Sequence, residues 1–110
     1  MNIQIFGKKK CFDTKKAERY FKERGIKVQY IDILDKGLSK GEYRSVSSAV
    51  GGLEALLDEK ANDFHLITYL VEEQKLDKLL ETPSLYKTPI VRNGKQATVG
   101  FKPEVWKTWG

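Results

Sequence analysis

The chain opens on an alternation of apolar and polar residues. Ile3 and Ile5 fall on one side and Asn2 and Gln4 on the other, which is the two-residue period of a half-buried strand. The period then becomes helical. Asp13 or Thr14 suits an N-cap, and Ala17, Tyr20, Phe21 and Arg24 follow along one face before Gly25, which is placed to end the helix. From Lys27 to about Ile33 the density of Val28, Tyr30, Ile31 and Ile33 predicts a second strand. Strand, helix and strand in so short a stretch read as a right-handed unit with parallel strands.

Ser39-Lys-Gly-Glu42 fits the capping box of a helix start. Tyr43, Val46, Ala49 and Val50 form the apolar stripe of that helix, and Gly51-Gly52 stops it. A short helical piece is expected from Leu53 to Asp58. A further run opens at Asp63 with Phe64, Ile67, Leu70 and Val71 on one face. The next helix, from about Glu73 to Glu81, carries Leu76, Leu79 and Leu80 and is closed by Pro83. The middle of the chain therefore reads as helical throughout.

The last part changes character. Pro89 to Arg92 and Lys95 to Val99 flank Asn93-Gly94, the signal of a hairpin with a type I′ turn. Gly100 breaks the second strand, and Pro103 opens a last helix in which Val105, Trp106 and Trp109 can pack back on the sheet. The expected fold is α/β: a thioredoxin-like, mixed four-stranded sheet in one domain over 1–110, with a helical insert at about 39–82. In that topology the loop after the first strand meets the loop before the third. Those loops contain Cys11 and Pro89.

A chain of 110 residues, 40% hydrophobic and 32% charged, can bury one core and is not of the disordered class. No apolar run approaches the ~20 residues of a membrane span. The N-terminus lacks a secretory pattern, so a cytoplasmic location is expected and no membrane partner. The net charge is +5, but apart from Lys8–Lys10 the cations are scattered among acids. That distribution reads as a solvated surface and gives little support to nucleic-acid binding.

The single cysteine changes the picture most. Cys11 follows three lysines and stands where the first strand hands over to the first helix. A thiol there faces unpaired backbone N–H groups and the positive end of the helix dipole, and both favour thiolate. In such settings a cysteine pKa falls from ~8.5 to ~3.5–7.5. The alternative is a small apolar residue buried beneath the strand. With no second cysteine, any disulfide must recruit a thiol from another molecule.

Three segments in order carry a family resemblance. Ile5-Phe-Gly-Lys-Lys-Lys-Cys11-Phe-Asp-Thr-Lys-Lys-Ala17 resembles the N-terminal motif of the arsenate reductase and Spx-like family. Pro83-Ser-Leu-Tyr-Lys-Thr-Pro89-Ile-Val is similar to the segment leading into that family's third strand. Val99-Gly-Phe-Lys-Pro103-Glu is similar to its turn into the last helix. The resemblance covers essentially the whole chain. It implies a thioredoxin-like fold, a nucleophilic Cys11, and a cis proline at Pro89 beside it. It also implies thiol-dependent redox chemistry, in which glutathione serves as co-substrate, or a glutaredoxin or thioredoxin-type thiol resolves the oxidised sulfur, with no bound cofactor. The competing implication is a non-enzymatic, Spx-like regulator that docks on a protein partner through the helical insert.

Several positions depart from the family pattern. Thr88 stands where the reductases carry an anion-binding arginine, Lys102 stands where another arginine is expected, and Leu53 to Leu70 supplies no third. A lysine offers a point charge without the bidentate fork, so arsenate turnover is expected to be weak or absent. Spx-type regulators carry a second cysteine three positions after the first; here that position is Thr14, which rules out their internal disulfide.

Thr14, Lys10 and Pro89 are the candidates for supporting the thiolate, and Lys8, Lys9 and Lys102 for binding an anion. Thr14 is equally read as a plain helix cap, and the two roles are compatible. Asp13 opposes ionisation of the thiol if it points inward. His65, the only histidine, has no partner at catalytic or metal-ligand spacing, so no metal site is expected.

Overall fold

The computed structural model describes residues 1–109. Four strands form one sheet in the order β2-β1-β3-β4, where β1 is Ile3–Gly7, β2 Val28–Asp32, β3 Ile90–Asn93 and β4 Gln96–Val99. β1 runs parallel to β2, with Ile5 opposite Tyr30, and antiparallel to β3, with Ile5 opposite Val91. The parallel pair is joined by α1, Phe12–Glu23. The sheet is thus the mixed, thioredoxin-like one that the sequence predicts.

Alternation along the strands divides the core between the two faces. Ile3, Ile5 and Val91 face α1 and a short C-terminal helix, α5 (Pro103–Trp106), where they meet Ala17, Phe21 and Trp106. Phe6 and Ile90 face the opposite way, toward the segment inserted between β2 and β3. That segment comprises α2 (Ile33–Lys36), α3 (Lys40–Val50) and α4 (Glu72–Glu81), and supplies Val46, Leu56, Ile67 and Leu79 to the second cluster. Trp106 seals the first cluster: its ring packs on Tyr20 and Phe21, and its indole N–H donates to Thr98 Oγ1 at 2.7 Å.

Several elements differ from their sequence-based expectations. The first helix begins two or three residues early, at Phe12, so Cys11 itself is the N-cap, and Asp13 and Thr14 lie in the first turn. The second strand ends at Asp32, whose carboxylate accepts from the Leu34 N–H at 3.0 Å and starts α2 at Ile33. The capping box at Ser39 and Glu42 forms as read.

The run from Asp63 is not an α-helix. Its apolar residues Phe64, Ile67 and Leu70 recur every third position, and the backbone follows with three-residue hydrogen bonds from Ile67 N to Phe64 O (3.1 Å) and from Leu70 N to Ile67 O (3.2 Å). That is the 3₁₀ period, in which i and i+3 eclipse, and it leaves Val71 exposed. Leu53–Leu56 is likewise a 3₁₀ turn, so the middle of the chain is only partly α-helical.

The hairpin turn is shifted by one residue. Asn93 pairs with Gln96, which leaves Gly94 and Lys95 as the loop. Gly94 has φ 61° and no non-glycine residue has positive φ, whereas a type I′ turn needs both central residues there. Glycine in the first central position is the type II′ pattern. In α5, Val105 is exposed, and only Trp106 is fully buried against the sheet, with Trp109 packed beside it.

Gly7 ends β1 where the backbone of the strand meets α1. A Cβ at this position would run into Cγ2 of buried Thr14 and lie 3.0 Å from its hydroxyl oxygen. Gly7→Ala is therefore expected to lower stability by ~1–3 kcal/mol, the usual cost of overpacking, as measured by urea unfolding. An unchanged midpoint would show that Thr14 can move aside.

Candidate functional site

Four segments converge at the C-terminal end of β1. The first is the loop Lys8–Lys10 with Cys11 at the head of α1. The second is the start of α2. The third is the 3₁₀ turn with the residues after it, Glu54 to Lys60. The fourth is Lys87-Thr88, just before β3. They line a cleft of about 1040 Å³. It lies at the carboxyl end of the parallel strands, where crevices form in open α/β sheets.

Cys11 is half-buried in this wall. Its backbone N–H donates to Lys8 O at 3.0 Å, closing the loop, while its carbonyl accepts from Lys15 N at 3.2 Å as the first turn of α1. As a thiol, Sγ donates to the Thr88 carbonyl at 3.6 Å. That carbonyl belongs to the Thr88–Pro89 peptide bond, which is cis. Residues far apart in sequence thus meet at one sulfur, through the carbonyl that precedes Pro89.

The surroundings of Cys11 act in opposite directions. Burial pushes its pKa up. The Thr14 and Thr88 side chains and the Thr14 and Asp13 backbone N–H groups favour charge on the sulfur, and together they bring the thiol below its ordinary value. Thr14 is therefore a first-turn residue whose backbone and side chain both support the thiolate. Its hydroxyl also accepts from Lys8 N at 3.4 Å.

A depressed acid pKa makes folding pH-dependent. The unfolded chain holds the Cys11 proton up to ~8.5, while the folded chain releases it earlier, so stability rises with pH across that window and the gain is lost as pH falls through the folded value. The stability difference between the native chain and Cys11→Ser is expected to grow in favour of the native chain as pH rises toward 8.5. A difference flat over this range would contradict the ionisation.

Lys8 sits differently from its two neighbours. Its ammonium donates to Ser84 O at 2.9 Å and to Tyr86 O at 2.8 Å, and Asp58 Oδ2 lies 3.9 Å away. Burial holds it below the usual lysine range, with Asp58 and Cys11 pulling the other way. Asp58 is brought there by a backbone splice between the insert and the segment before β3. Asp58 N donates to Leu85 O at 2.8 Å, Lys87 N donates to Leu56 O at 2.7 Å, and Leu57 bridges Tyr86. Lys8 thus ties the Cys11 loop to the segment that carries Thr88 and Pro89.

Lys9 and Lys10 are exposed at the cleft. Lys102 is not in it; it lines a smaller hollow with Val50 and Thr98 that shares Ala55 and Lys87 with the Cys11 cleft. His65 is exposed elsewhere, its Nδ1 3.1 Å from Asn62 O. Lys60, Lys87 and Asp58 line the cleft but were not singled out from the sequence as part of the site. Only the fold brings them to Cys11, although Lys87 lies inside the motif around Pro89.

The model of the ArsC family matches residues 6–109, nearly the whole chain. The chain belongs to the ArsC family. It is 30% identical over 106 residues to the global transcriptional regulator Spx 2 of Oceanobacillus iheyensis, covering 92% of this chain and 78% of that protein. It is 23% identical over 111 residues to the uncharacterized protein YusI of Bacillus subtilis, covering 94% of each. Among solved structures, an arsenate reductase from Vibrio cholerae superposes with a TM-score of 0.83 at 23% identity, over 96% of this chain and 94% of that one. This last likeness is one of fold. Among the described residues, the cations that line the cleft are all lysines. Among the described residues no helix is long and apolar enough to cross a membrane.

Proposed function

We propose that this ArsC family protein is a thiol-dependent oxidoreductase in which Cys11 is the sole nucleophile. The observation that carries this reading is the placement of Cys11 Sγ. It is the N-cap of α1, it faces a cleft, it lies 3.6 Å from the carbonyl of the cis Thr88–Pro89 bond, and its neighbours favour thiolate. The thiolate attacks one sulfur of a disulfide, the S–S bond breaks, and the other sulfur leaves as thiolate. The mixed disulfide on Cys11 is then attacked by a second thiol. That thiol, glutathione or a glutaredoxin or thioredoxin-type partner, departs as the new disulfide and returns Cys11 as thiolate. No cofactor is required for either exchange.

Iodoacetamide labelling across pH tests the reading. The expected midpoint lies below the ~8.5 of a free thiol, and oxidised glutathione is expected to add one glutathione per chain to the native protein and none to Cys11→Ser. A midpoint at or above that of free cysteine would overturn it.

A second reading is supported by the similarity to a protein named as a global transcriptional regulator. On this view the chain binds another protein through the segment between β2 and β3, and the thiol is secondary. Thr14 in place of a second cysteine leaves such a regulator without an internal disulfide switch. Partner binding retained in full by Cys11→Ser would favour this reading over the first.

A further inference from the structure

Two large apolar side chains stand uncovered on either flank of the thiol. Phe12, the residue after Cys11 and the first of α1, is 79% exposed, and Leu34, on the cleft wall at the start of α2, is 53% exposed. Neither belongs to the two core clusters. An exposed aromatic residue beside a nucleophile adds nothing to the fold.

The charges of the same cleft are unevenly committed. Three of its carboxylates are already engaged: Asp58 faces Lys8 at 3.9 Å, Asp32 accepts from the Leu34 N–H at 3.0 Å, and Glu54 bridges Lys75 at 2.8 Å. Among the described residues, the ammonium groups of Lys9, Lys10, Lys60 and Lys87 have no hydrogen-bond or ion-pair partner. The carboxylates of Asp13 and Glu59 are similarly uncommitted, and Asp32, bonded only to a neutral backbone N–H, keeps its charge without a cation beside it. Outside the cleft, Lys15 places its ammonium 5.8 Å from the Phe12 ring centre. Four unpaired ammonium groups thus stand against three carboxylates that no cation compensates, which leaves a small positive excess around the thiol, beside the exposed Phe12 and Leu34 side chains.

We infer that the thiol partner of Cys11 is a protein segment whose cysteine lies among apolar and acidic residues, docked on Phe12 and Leu34 beside the unpaired lysines. This deepens the proposed thiol exchange and rests on it. Glutathione supplies carboxylates but no large apolar side chain to cover Phe12 and Leu34. A cleft of about 1040 Å³ is also at the upper limit of the ~300–1,000 Å³ typical of small-molecule pockets. Acidic residues on the partner answer the lysines, and this attraction speeds encounter and weakens as salt rises. The covalent step is the one already given: Cys11 thiolate displaces a thiolate from the partner's disulfide and forms a mixed disulfide.

The test uses probes with the same leaving group. Short peptides with a central cysteine and glutathione itself are each converted to the mixed disulfide with thionitrobenzoate, and its release by the native chain is followed by absorbance. One peptide flanks the cysteine with leucines and glutamates, a second replaces the glutamates with lysines, and a third replaces the leucines with alanines. The acidic, leucine-bearing peptide is expected to react at least ~10-fold faster than its lysine counterpart at low ionic strength, with the gap closing at high salt. It should also outpace glutathione. Phe12→Ser should lower the ratio of its rate to that of glutathione several-fold, and Phe12→Leu should restore that ratio. Equal rates for the peptides, glutathione as the fastest probe, or a ratio unmoved by Phe12→Ser would each overturn the docking surface while leaving Cys11 as the nucleophile. Failure of every probe to react with Cys11 would overturn both readings.

Discussion

Arsenate reduction by the native chain, supplied with glutathione and glutaredoxin, is expected to run ~10²–10³-fold or more below that of a family member carrying arginines at the positions of Thr88 and Lys102. The transition state of oxyanion reduction gathers negative charge beside the sulfur, and a fixed donor aimed at such charge is worth ~2.7–4 kcal/mol. Thr88 carries no charge, and its side chain already supports the Cys11 thiolate. Lys102 lines a different hollow. Of the cleft lysines, Lys8 is the one held rigidly, and its ammonium is already engaged by two carbonyls and Asp58. Lys9, Lys10, Lys60 and Lys87 are exposed, flexible point charges without the planar fork of arginine. Efficient turnover by the native chain, lost in Cys11→Ser, would show that these lysines suffice.

Lys8→Met is expected to destabilise the fold by ~3 kcal/mol and to raise the pH midpoint of Cys11 alkylation. The methionine keeps the apolar stem but leaves the Ser84 and Tyr86 carbonyls without their donor. Hydrogen bonds to a charged group are worth ~1.5–3 kcal/mol each, and an acceptor left unpaired retains its desolvation cost. The loss falls on the segment that carries Thr88. Once that segment loosens, one of the groups favouring charge on Cys11 is no longer held in place, and the thiol moves toward its ordinary pKa. Urea unfolding reads the first effect and iodoacetamide labelling across pH the second. A destabilised variant with an unmoved alkylation midpoint would make Lys8 a structural clamp only, and a variant unchanged in both would remove it from the site.

Much of the site was legible because it is written in local signals. A strand period followed by a helical period places Cys11 at a junction whatever the rest of the chain does, since backbone N–H groups at a helix start are unpaired by geometry. The difference of two or three residues in the start of α1 has the same origin. Asp13 and Thr14 are good cap types, but Gly7 and the loop bond from Cys11 N to Lys8 O turn the chain sooner, and a cysteine ends up in the cap position. The run from Phe64 to Leu70 is ambiguous in sequence because three-residue spacing on one face fits either an α-helix or a 3₁₀ turn, and only its packing on the second core cluster selects between them.

What the sequence by itself determined is therefore the order of the elements, the mixed sheet they imply, the capping box of α3, and the place of Cys11 at the head of the first helix. Each follows from periodicity or from a residue type at a fixed offset, which act over a few residues. The tertiary structure alone decided what each lysine does. Lys8, Lys9 and Lys10 are identical neighbours in the chain, yet one is spent on carbonyls 76 and 78 residues away and the other two face the cleft. The contact of Cys11 with the Thr88 carbonyl, 77 residues away, and the arrival of Asp58, Lys60 and Lys87 beside it are of the same kind. An ammonium or a sulfur takes its character from the groups that surround it in space, and those groups are assembled only when the sheet brings the ends of β1 and the start of β3 side by side.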